Sequence, residues 1–309
     1  MAKKMLFLFV LLLSLTGMLK AQVTTAGMSG KVMADEESVI GATVVAVHEP
    51  SGTSYGTVTN VDGRFSLQGM RSGGPYKVTV SYIGYQTAIY TDIQLQLGET
   101  YSLNVTLHEA SELLGEITIT ASKSKFSAEK TGATTNISSE QLTTLPSINR
   151  SISDFTRISP YASGNSFGGR DGRSNTFTVD GANLNNNFGL SSGLPGGGNP
   201  ISLDAIDEVQ VVIAPYDVRQ ANFIGAGINA ITKSGTNAYR GSAYMYFNNE
   251  VMRGNKIGDT DFGVRAEESK TVYGATFGGP IIKDKLFFFA NVEYEKSPQQ
   301  VITWRAAKE

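Results

Sequence analysis

The sequence predicts a mainly β fold: a β-sandwich, then a glycine-rich α+β domain, then the first strands of an incomplete transmembrane β-barrel. Three observations lead to this prediction. The chain has 309 residues with 34 glycines and only 17% charged residues, which is unlike a helical protein. Its 13 Tyr and 15 Phe favour strands over helices. Short runs of alternating apolar and polar residues, separated by turn signals, recur along most of the chain.

The N-terminus has the pattern of a secretory signal peptide, residues 1–21. MAKK is basic, and the apolar run Met5–Leu19 is shorter than the roughly 20 residues that span a bilayer. Cleavage is expected between Ala21 and Gln22; the alternative is an uncleaved anchor. Removing residues 1–21 takes three of the 26 basic residues and none of the 28 acidic ones, which leaves a formal charge of −5. An acidic exported chain without a basic block argues against a nucleic-acid partner.

Cysteine is absent from the whole chain, and this excludes several kinds of site. A chain without thiols has no disulfide framework, no thiolate metal site and no lipid attached to an N-terminal cysteine. The two histidines, His48 and His108, are sixty positions apart and lack the spacing of paired zinc ligands. We therefore expect no bound metal and no cofactor.

Residues 22–108 contain short β runs at intervals of roughly ten residues, the spacing of an all-β sandwich. In VIGATVVAV both alternating sets of residues are fairly apolar, which predicts a central strand. The segment GATVVAVHEPSGTSYGTVTNVDGRFSLQGM followed by YKVTVSYIGYQ resembles the carboxypeptidase regulatory-like domain. The resemblance implies a seven-stranded sandwich without catalytic residues.

Residues 109–125 form a predicted linker, and residues 126–236 mix short α and β signals with long glycine loops. Ser138 and Gln141 have the spacing of a capping box for a short helix that ends before Pro146. Three phrases then follow in order: GRDGRSNTFTVDG, IDEVQVVIAPYD and GAGINAITKSGTN. This order is similar to the plug domain of TonB-dependent outer-membrane receptors. Ile213-Ala214-Pro215, where many members have Arg-Gly-Pro, points to their Oar-like branch.

The same resemblance identifies EITITA in the linker as a TonB box, the short strand by which TonB grips such receptors. Its residues are Glu116, Ile117, Thr118, Ile119, Thr120 and Ala121. The implied mechanism is addition of this segment as an edge strand to the TonB sheet. The alternative is that residues 116–121 form the first strand of the plug sheet.

Residues 237–309 alternate as the strands of a membrane barrel do, in GSAYMYFN, TVYGATFGG and KLFFFANVEYEK. A long connection, Glu250–Ser269, and a short one, Pro280–Lys285, match the long outer and short periplasmic loops of such barrels. The alternative is a soluble β-meander. Three strands cannot close a barrel in lipid, so we expect a longer protein that is cut near Glu309.

Two sequences that look catalytic lack the necessary context. GNSFG has no downstream histidine, and GAGINA is not followed by a helical sequence. The oxygen-rich DGANLN has Ser191 where a calcium loop needs glutamate, so a turn is expected. In a plug, Arg170 and Arg173 could form ion pairs with lumen glutamates of the barrel such as Glu293 and Glu295, and so latch the plug to the wall.

Together these patterns predict the N-terminal portion of a TonB-dependent outer-membrane receptor with its sandwich in the periplasm, and not an enzyme. The implied partners are TonB, outer-membrane lipid, an extracellular ligand (peptide, glycan or chelate) and, as a further option, a lipoprotein lid. The alternative functions are a secreted adhesin that binds carbohydrate or protein, and the regulatory domain of a peptidase, for which the chain offers no catalytic residues.

Overall fold

The computed structural model describes residues 23–34, 37–109, 117–120, 133–147, 150–185, 200–215, 217, 220–221, 223–261, 263 and 269–298. The chain divides into two compact units, residues 1–232 and residues 233–309. The first unit contains two separate hydrophobic cores, one in the sandwich and one in the glycine-rich domain that follows. The predicted cleavage site, Ala21 and Gln22, lies outside the described residues.

The sandwich consists of two sheets, in which most strand pairs are antiparallel, that face each other across one core. One sheet has β1 at its centre, flanked by β2, β5, β8 and β9; the other has the order β10-β7-β6-β3-β4. The strands are β1 Ala26–Ala34, β2 Glu37–Ser38, β3 Thr43–His48, β4 Thr53–Val58, β5 Arg64–Met70, β6 Gly73–Ser81, β7 Ala88–Leu95, β8 Thr100–Ser102, β9 Val105–Leu107 and β10 Ile117–Thr120.

The seven-stranded sandwich that the sequence predicts is confirmed. Both β8 and β9 run parallel to β1 along the same edge, so together they make one interrupted strand. Apart from the two-residue β2, residues 26–107 therefore contribute seven strands to the two sheets. The predicted central strand is also confirmed, since β3 lies between β6 and β4. Its Val44 and Ala46 are fully buried, while Thr43 is exposed.

A close approach inside the sandwich requires glycine at position 30. A Cβ built on Gly30 would lie 1.8 Å from the carbonyl oxygen of Leu103, whose own N–H donates to the Ser29 carbonyl. The backbone between β8 and β9 thus packs directly against β1. Any larger side chain at position 30 would push the Leu103 backbone away from β1.

The glycine-rich domain is organised around a five-stranded sheet of order β11-β16-β17-β14-β15. Its strands are β11 Ala133–Ser138, β12 Ala162–Ser163, β13 Ser166–Phe167, β14 Thr176–Val179, β15 Ala182–Asn183, β16 Ile206–Ala214 and β17 Gly227–Thr232. The described part of the domain also contains two short helices, α1 Ser139–Thr144 and α2 Ile152–Thr156. It has 3-10 turns at Gly172–Ser174 and Leu203–Ala205. The predicted capping box is confirmed: the Ser138 side chain caps α1, and the Ser138 N–H donates to Gln141 Oε1 at 3.0 Å.

The second unit is an antiparallel sheet of order β18-β21-β22, and each predicted alternating run forms one of its strands. The strands are β18 Arg240–Asn249, β19 Lys256–Ile257, β20 Thr260–Asp261, β21 Ser269–Ile282 and β22 Leu286–Lys296. A 3-10 turn at Glu250–Arg253 and the small β19–β20 hairpin lie in the long connection, which the sequence pattern predicts only as a polar loop. Among the described helices, none has the length and apolar character needed to cross a membrane.

Candidate functional site

The candidate TonB box forms a short strand, and this strand lies on the sandwich. Of the six predicted residues, Ile117–Thr120 form β10, while Glu116 and Ala121 lie outside the described residues. The strand runs parallel to β7, with Ile117 opposite Ala88 and Thr120 opposite Thr91. It is therefore the terminal strand of a sandwich sheet, and the described five-stranded sheet of the glycine-rich domain does not include it. Its assignment as a TonB box stays a prediction.

A bulge in β7 follows the residues that pair with β10. Asp92 has φ 60°, a left-handed conformation that is uncommon for any residue but glycine, and the pairing of β7 with β6 changes register on either side of it. Thr91 has a Cα partner in β10 and none in β6. The described residues of β10 thus pair with Ala88–Thr91, next to the bulge.

A turn of the sandwich contacts the sheet of the following domain. The backbone N–H of Leu97 donates to both carboxylate oxygens of Glu208 on β16, at 3.1 Å each. The Leu97 carbonyl accepts a short hydrogen bond from the side-chain amide of Gln210. Leu97, Glu208 and Gln210 are all buried, so the turn Gln96–Glu99 closes over this part of the sheet.

The conformation of this turn depends on Gly98. Its φ is +70°, and a Cβ there would lie 2.8 Å from the side-chain nitrogen of Gln210. On β11, the side-chain amide of Asn136 reaches the Leu97 carbonyl at 3.4 Å and the Glu99 carboxylate at 3.3 Å. The contact is thus a polar network with a backbone turn at its centre.

Glu208 is the charged group most affected by this contact. Burial raises the pKa of its carboxyl to about 7, and the negative charges of Asp207 and Glu99 act in the same direction, against the opposing effect of the Leu97 N–H. The carboxyl therefore changes its charge near neutral pH. The sequence patterns did not single out this residue, because Glu208 is one acidic position within an isoleucine- and valine-rich strand.

Of the four residues predicted for a plug–barrel latch, Arg173, Glu293 and Glu295 have side-chain contacts inside their own unit. The guanidinium Nε of Arg173 lies 3.4 Å from Asp171 Oδ1, and Arg170 accepts a short hydrogen bond from Ser166 through its carbonyl. In the second unit, the phenol of Tyr244 donates to Glu293 at 2.7 Å, and Lys270 Nζ lies 3.0 Å from Glu295. The latch stays a prediction.

The register of the second unit separates an apolar face from a polar face. Met245 pairs with Tyr273, which pairs with Tyr294, and all three are exposed. Tyr244 pairs with Gly274, which pairs with Glu293, so the alternate positions carry the polar side chains. Near the short turn the rings of Tyr239, Phe277 and Phe288 lie within 6.5 Å of one another. An apolar outer face with aromatic residues at its border is typical of a membrane barrel.

The sequences that look catalytic have ordinary structural roles. GNSFG forms the β12–β13 hairpin, and GAGINA enters strand β17, so neither leads into a helix. His48 is buried, and its Nδ1 shares a hydrogen bond of 2.7 Å with Ser51 Oγ. Burial, together with the positive charge of Arg71, lowers the pKa of His48 to about 4. Within the described ranges, no three histidine, aspartate or glutamate side chains converge on a metal-sized site.

Two family models match successive parts of the chain. The model of the carboxypeptidase regulatory-like domain matches residues 27–108, which include strands β1–β9. The model of the outer membrane beta barrel domain matches residues 231–305, which include β18–β22. These matches place the protein in the outer membrane.

One relative matches most of the chain. The chain is 26% identical over 252 residues to the TonB-dependent transporter Oar of Myxococcus xanthus, a match that covers 75% of this chain and 23% of Oar. These matches support a TonB-dependent outer-membrane receptor. The predicted resemblance to this family is thereby confirmed, and the relative is a transporter and not an enzyme. It spans less than a quarter of the length of its relative.

Two solved structures show a partial likeness to this chain. The siderophore receptor PirA from Acinetobacter baumannii aligns with a TM-score of 0.40 and 23% identity, over 53% of this chain and 24% of PirA. The outer membrane transporter YddB from Escherichia coli aligns with a TM-score of 0.39 and 18% identity, over 53% of this chain and 26% of YddB.

Proposed function

We propose that this receptor takes up an extracellular ligand across the outer membrane and that TonB drives the uptake by gripping residues 116–121. The observation that supports the proposal best is the position of β10. A short strand lies between a sandwich and a plug-like sheet, in a chain related to a TonB-dependent transporter. The sandwich and β10 would lie in the periplasm, where TonB can reach them. The ligand, whether a peptide, a glycan or a chelate, would enter from the cell surface.

The proposed grip is β-augmentation, in which the segment adds as an edge strand to the TonB sheet. About four or five backbone hydrogen bonds would contribute ~1 kcal/mol each. Ordering each residue of a free segment costs a similar amount, ~1–2 kcal/mol. The net free energy of backbone pairing alone is therefore close to zero, and the apolar side chains at positions 117 and 119 are needed for net affinity. A weak grip suits a cycle in which TonB repeatedly binds, pulls and releases.

The apolar face of β18, β21 and β22 supports contact with outer-membrane lipid. Met245, Tyr273 and Tyr294 together form a continuous exposed stripe across three strands, which water would not favour. In the proposed receptor this stripe faces the acyl chains, and the Tyr244–Glu293 side faces the lumen. An outer-membrane location also favours a receptor over a secreted adhesin.

The experiment uses Ile117→Pro in the full receptor, purified from outer membranes in detergent. Proline at this position removes one backbone donor and restricts φ. We expect the affinity for the soluble C-terminal domain of TonB to fall at least tenfold. Lys123→Pro, which places the same residue in the same linker outside the predicted box, is the matched control and should bind as the parent does. Equal binding by Ile117→Pro and the parent receptor would reject the TonB-box assignment.

A further inference from the structure

We propose that the sandwich binds a glycan that carries carboxylates, the peptidoglycan of the periplasm, on the outer face of the sheet that has β1 at its centre. The inference rests on the periplasmic location of the sandwich in the proposed function, and it does not depend on the TonB-box assignment. The site is a groove of about 920 Å³ over β1, β5, β8 and β9, called the basic groove below. Its polar lining includes Ser29, Lys31, Arg64, Ser66, Ser102 and Asn104.

The alternation of the strands places these polar side chains on one face. On β1, Met28 and Val32 are fully buried in the sandwich core, so positions 29 and 31 point away from the core. Phe65 on β5 and Leu103, between β8 and β9, are also core residues, so their neighbours in the chain lie on the outer side. The outer face of this sheet therefore carries polar side chains on three adjacent segments of the chain.

Two rows of side chains cross this face. The first is a row of hydroxyls, because Ser29 is the partner of Ser66 on β5 and of Ser102 on β8. The second row is basic, because Lys31 is the partner of Arg64. The two rows are two residues apart along the strands, which is ~7 Å. A ligand that has both hydroxyls and an anionic group can contact both rows at once.

The basic row is electrostatically unfavourable in the free protein. Like charges directly opposite each other on neighbouring strands destabilise a sheet. Neither Lys31 nor Arg64 forms an ion pair with any residue that the structure describes, and none of the residues lining the basic groove is acidic. This is notable in a chain with 28 acidic and 26 basic residues. A bound carboxylate would accept charged hydrogen bonds from both side chains and so remove the repulsion.

The shape and chemistry of the basic groove favour a charged glycan over a peptide or an uncharged sugar. The central strand β1 is paired on both sides, so a peptide cannot add to it as a further strand. The serine hydroxyls and the Asn104 amide donate and accept hydrogen bonds, as sugar hydroxyls do. Phe65, the aromatic residue of the described lining, is buried, so the groove presents no exposed ring for stacking. Recognition therefore depends on hydrogen bonds and charge.

Peptidoglycan has both kinds of group that the basic groove requires. Its sugar chain supplies hydroxyls, and its short peptide branches supply carboxylates. The volume of the groove lies within the range of about 300–1,000 Å³ that is typical of ligand sites, which leaves room for more than one sugar unit. A sandwich bound in this way would fix the periplasmic end of the receptor to the cell wall.

Sedimentation of the full receptor with purified insoluble peptidoglycan tests the site. We expect the detergent-solubilised parent to sediment with the polymer and Lys31→Gln/Arg64→Gln to bind at least tenfold more weakly. Ser66→Glu, which adds a carboxylate to the hydroxyl row, should also bind at least tenfold more weakly. Ser54→Glu is the matched control: it adds the same charge at an exposed position of the other sheet and should bind as the parent does. Equal binding by the two glutamate variants would overturn the proposal.

Modified ligands test which chemical groups are recognised. Peptidoglycan whose carboxyl groups have been converted to amides should bind at least tenfold more weakly, and salt should weaken binding of the unmodified polymer. Unchanged binding of the amidated polymer would refute the role of the basic row. Soluble polyglutamate, at the same carboxylate concentration, should compete less well than soluble peptidoglycan fragments. If the two competed equally, the basic groove would be a site for acidic peptides and the glycan would be the wrong ligand.

Thermal unfolding tests whether the basic row serves binding or stability. Because the two cations repel each other, Lys31→Gln/Arg64→Gln should melt no lower than the parent. Soluble peptidoglycan fragments should raise the melting temperature of the parent and leave that of the double variant unchanged. A double variant that melts below the parent would show that the two cations stabilise the sandwich itself, which contradicts the inference.

The outcomes separate this inference from the proposed function. If Ile117→Pro binds TonB as the parent does while Lys31→Gln/Arg64→Gln loses peptidoglycan binding, the TonB-box assignment fails and the basic groove is supported. If Ile117→Pro loses TonB binding while the double variant keeps peptidoglycan binding, the proposed function is supported and the basic groove is refuted.

Discussion

The buried carboxyl of Glu208 should make the contact between the turn Gln96–Glu99 and the sheet of the glycine-rich domain dependent on pH. The pKa of this carboxyl is raised from 4.5 to about 7, mainly by burial. At 1.36 kcal/mol for each tenfold change in an equilibrium constant, this difference corresponds to about 3 kcal/mol. The perturbation that removes the effect is Glu208→Gln, whose side chain has a similar shape and can still accept the Leu97 N–H.

The sign of the effect follows from which state holds more protons. Below pH 4.5 the carboxyl is protonated both in the closed contact and when the turn has opened, so pH has no influence there. Between pH 4.5 and 7 only the closed contact keeps its proton, so the contact weakens as pH rises. Above pH 7 the full loss of about 3 kcal/mol has developed. In Glu208→Gln the stability of the contact should be independent of pH over this range.

Hydrogen exchange measures this directly, because the Leu97 amide donates to the carboxylate. Exchange of the peptide that contains Gln96–Glu99 is followed by mass spectrometry in the full receptor at pH 5 and pH 8, with correction for the intrinsic rate. The parent receptor should lose protection at pH 8 and Glu208→Gln should not. Asp207→Asn is the control: the Asp207 charge raises the pKa of Glu208, so this variant should keep the pH dependence with a lower midpoint. If Glu208→Gln retained the dependence of the parent, the explanation by burial of Glu208 would be wrong.

Two further substitutions test the packing of the first unit by thermal unfolding and hydrogen exchange of the full receptor. Gly30→Ala places a Cβ 1.8 Å from the Leu103 carbonyl and should destabilise the sandwich by about 3 kcal/mol or more, whereas Gly56→Ala, with its nearest atom at 4.0 Å, should be nearly neutral. Equal melting of the two variants would contradict the close approach of β1 and Leu103. Asp180→Ala removes acceptors for the Thr232 N–H (2.9 Å) and hydroxyl (2.7 Å) and should cost about 1–2 kcal/mol at this exposed site. Asp180→Asn, which tolerates the same backbone conformation, should cost less; unchanged protection of the Thr232 amide in Asp180→Ala would show that these bonds do not stabilise the turn.

Local patterns in the sequence were sufficient to predict several strands, one helix start and the fold class. Alternation along GSAYMYFN, TVYGATFGG and KLFFFANVEYEK predicted three strands and their apolar face, because side chains alternate with a period of two whatever the strand pairs with. The Ser138–Gln141 spacing predicted a helix start, since a capping box is satisfied within four residues. The order of the plug phrases predicted the family. Each of these signals concerns residues close together in the chain.

Only the tertiary structure decided what distant segments do to one another. The sequence predicted a strand at Ile117–Thr120 but not its neighbour: its pairing with Ala88–Thr91 joins segments about thirty residues apart, and an edge strand has backbone groups that fit any open sheet. Likewise Leu97 and Glu208 are 111 positions apart, and the raised pKa of Glu208 arises from burial that no local pattern encodes. Periodicity records which side of an element faces a core. Pairing and electrostatics depend on which surfaces meet, and that is set by the packing of the whole unit.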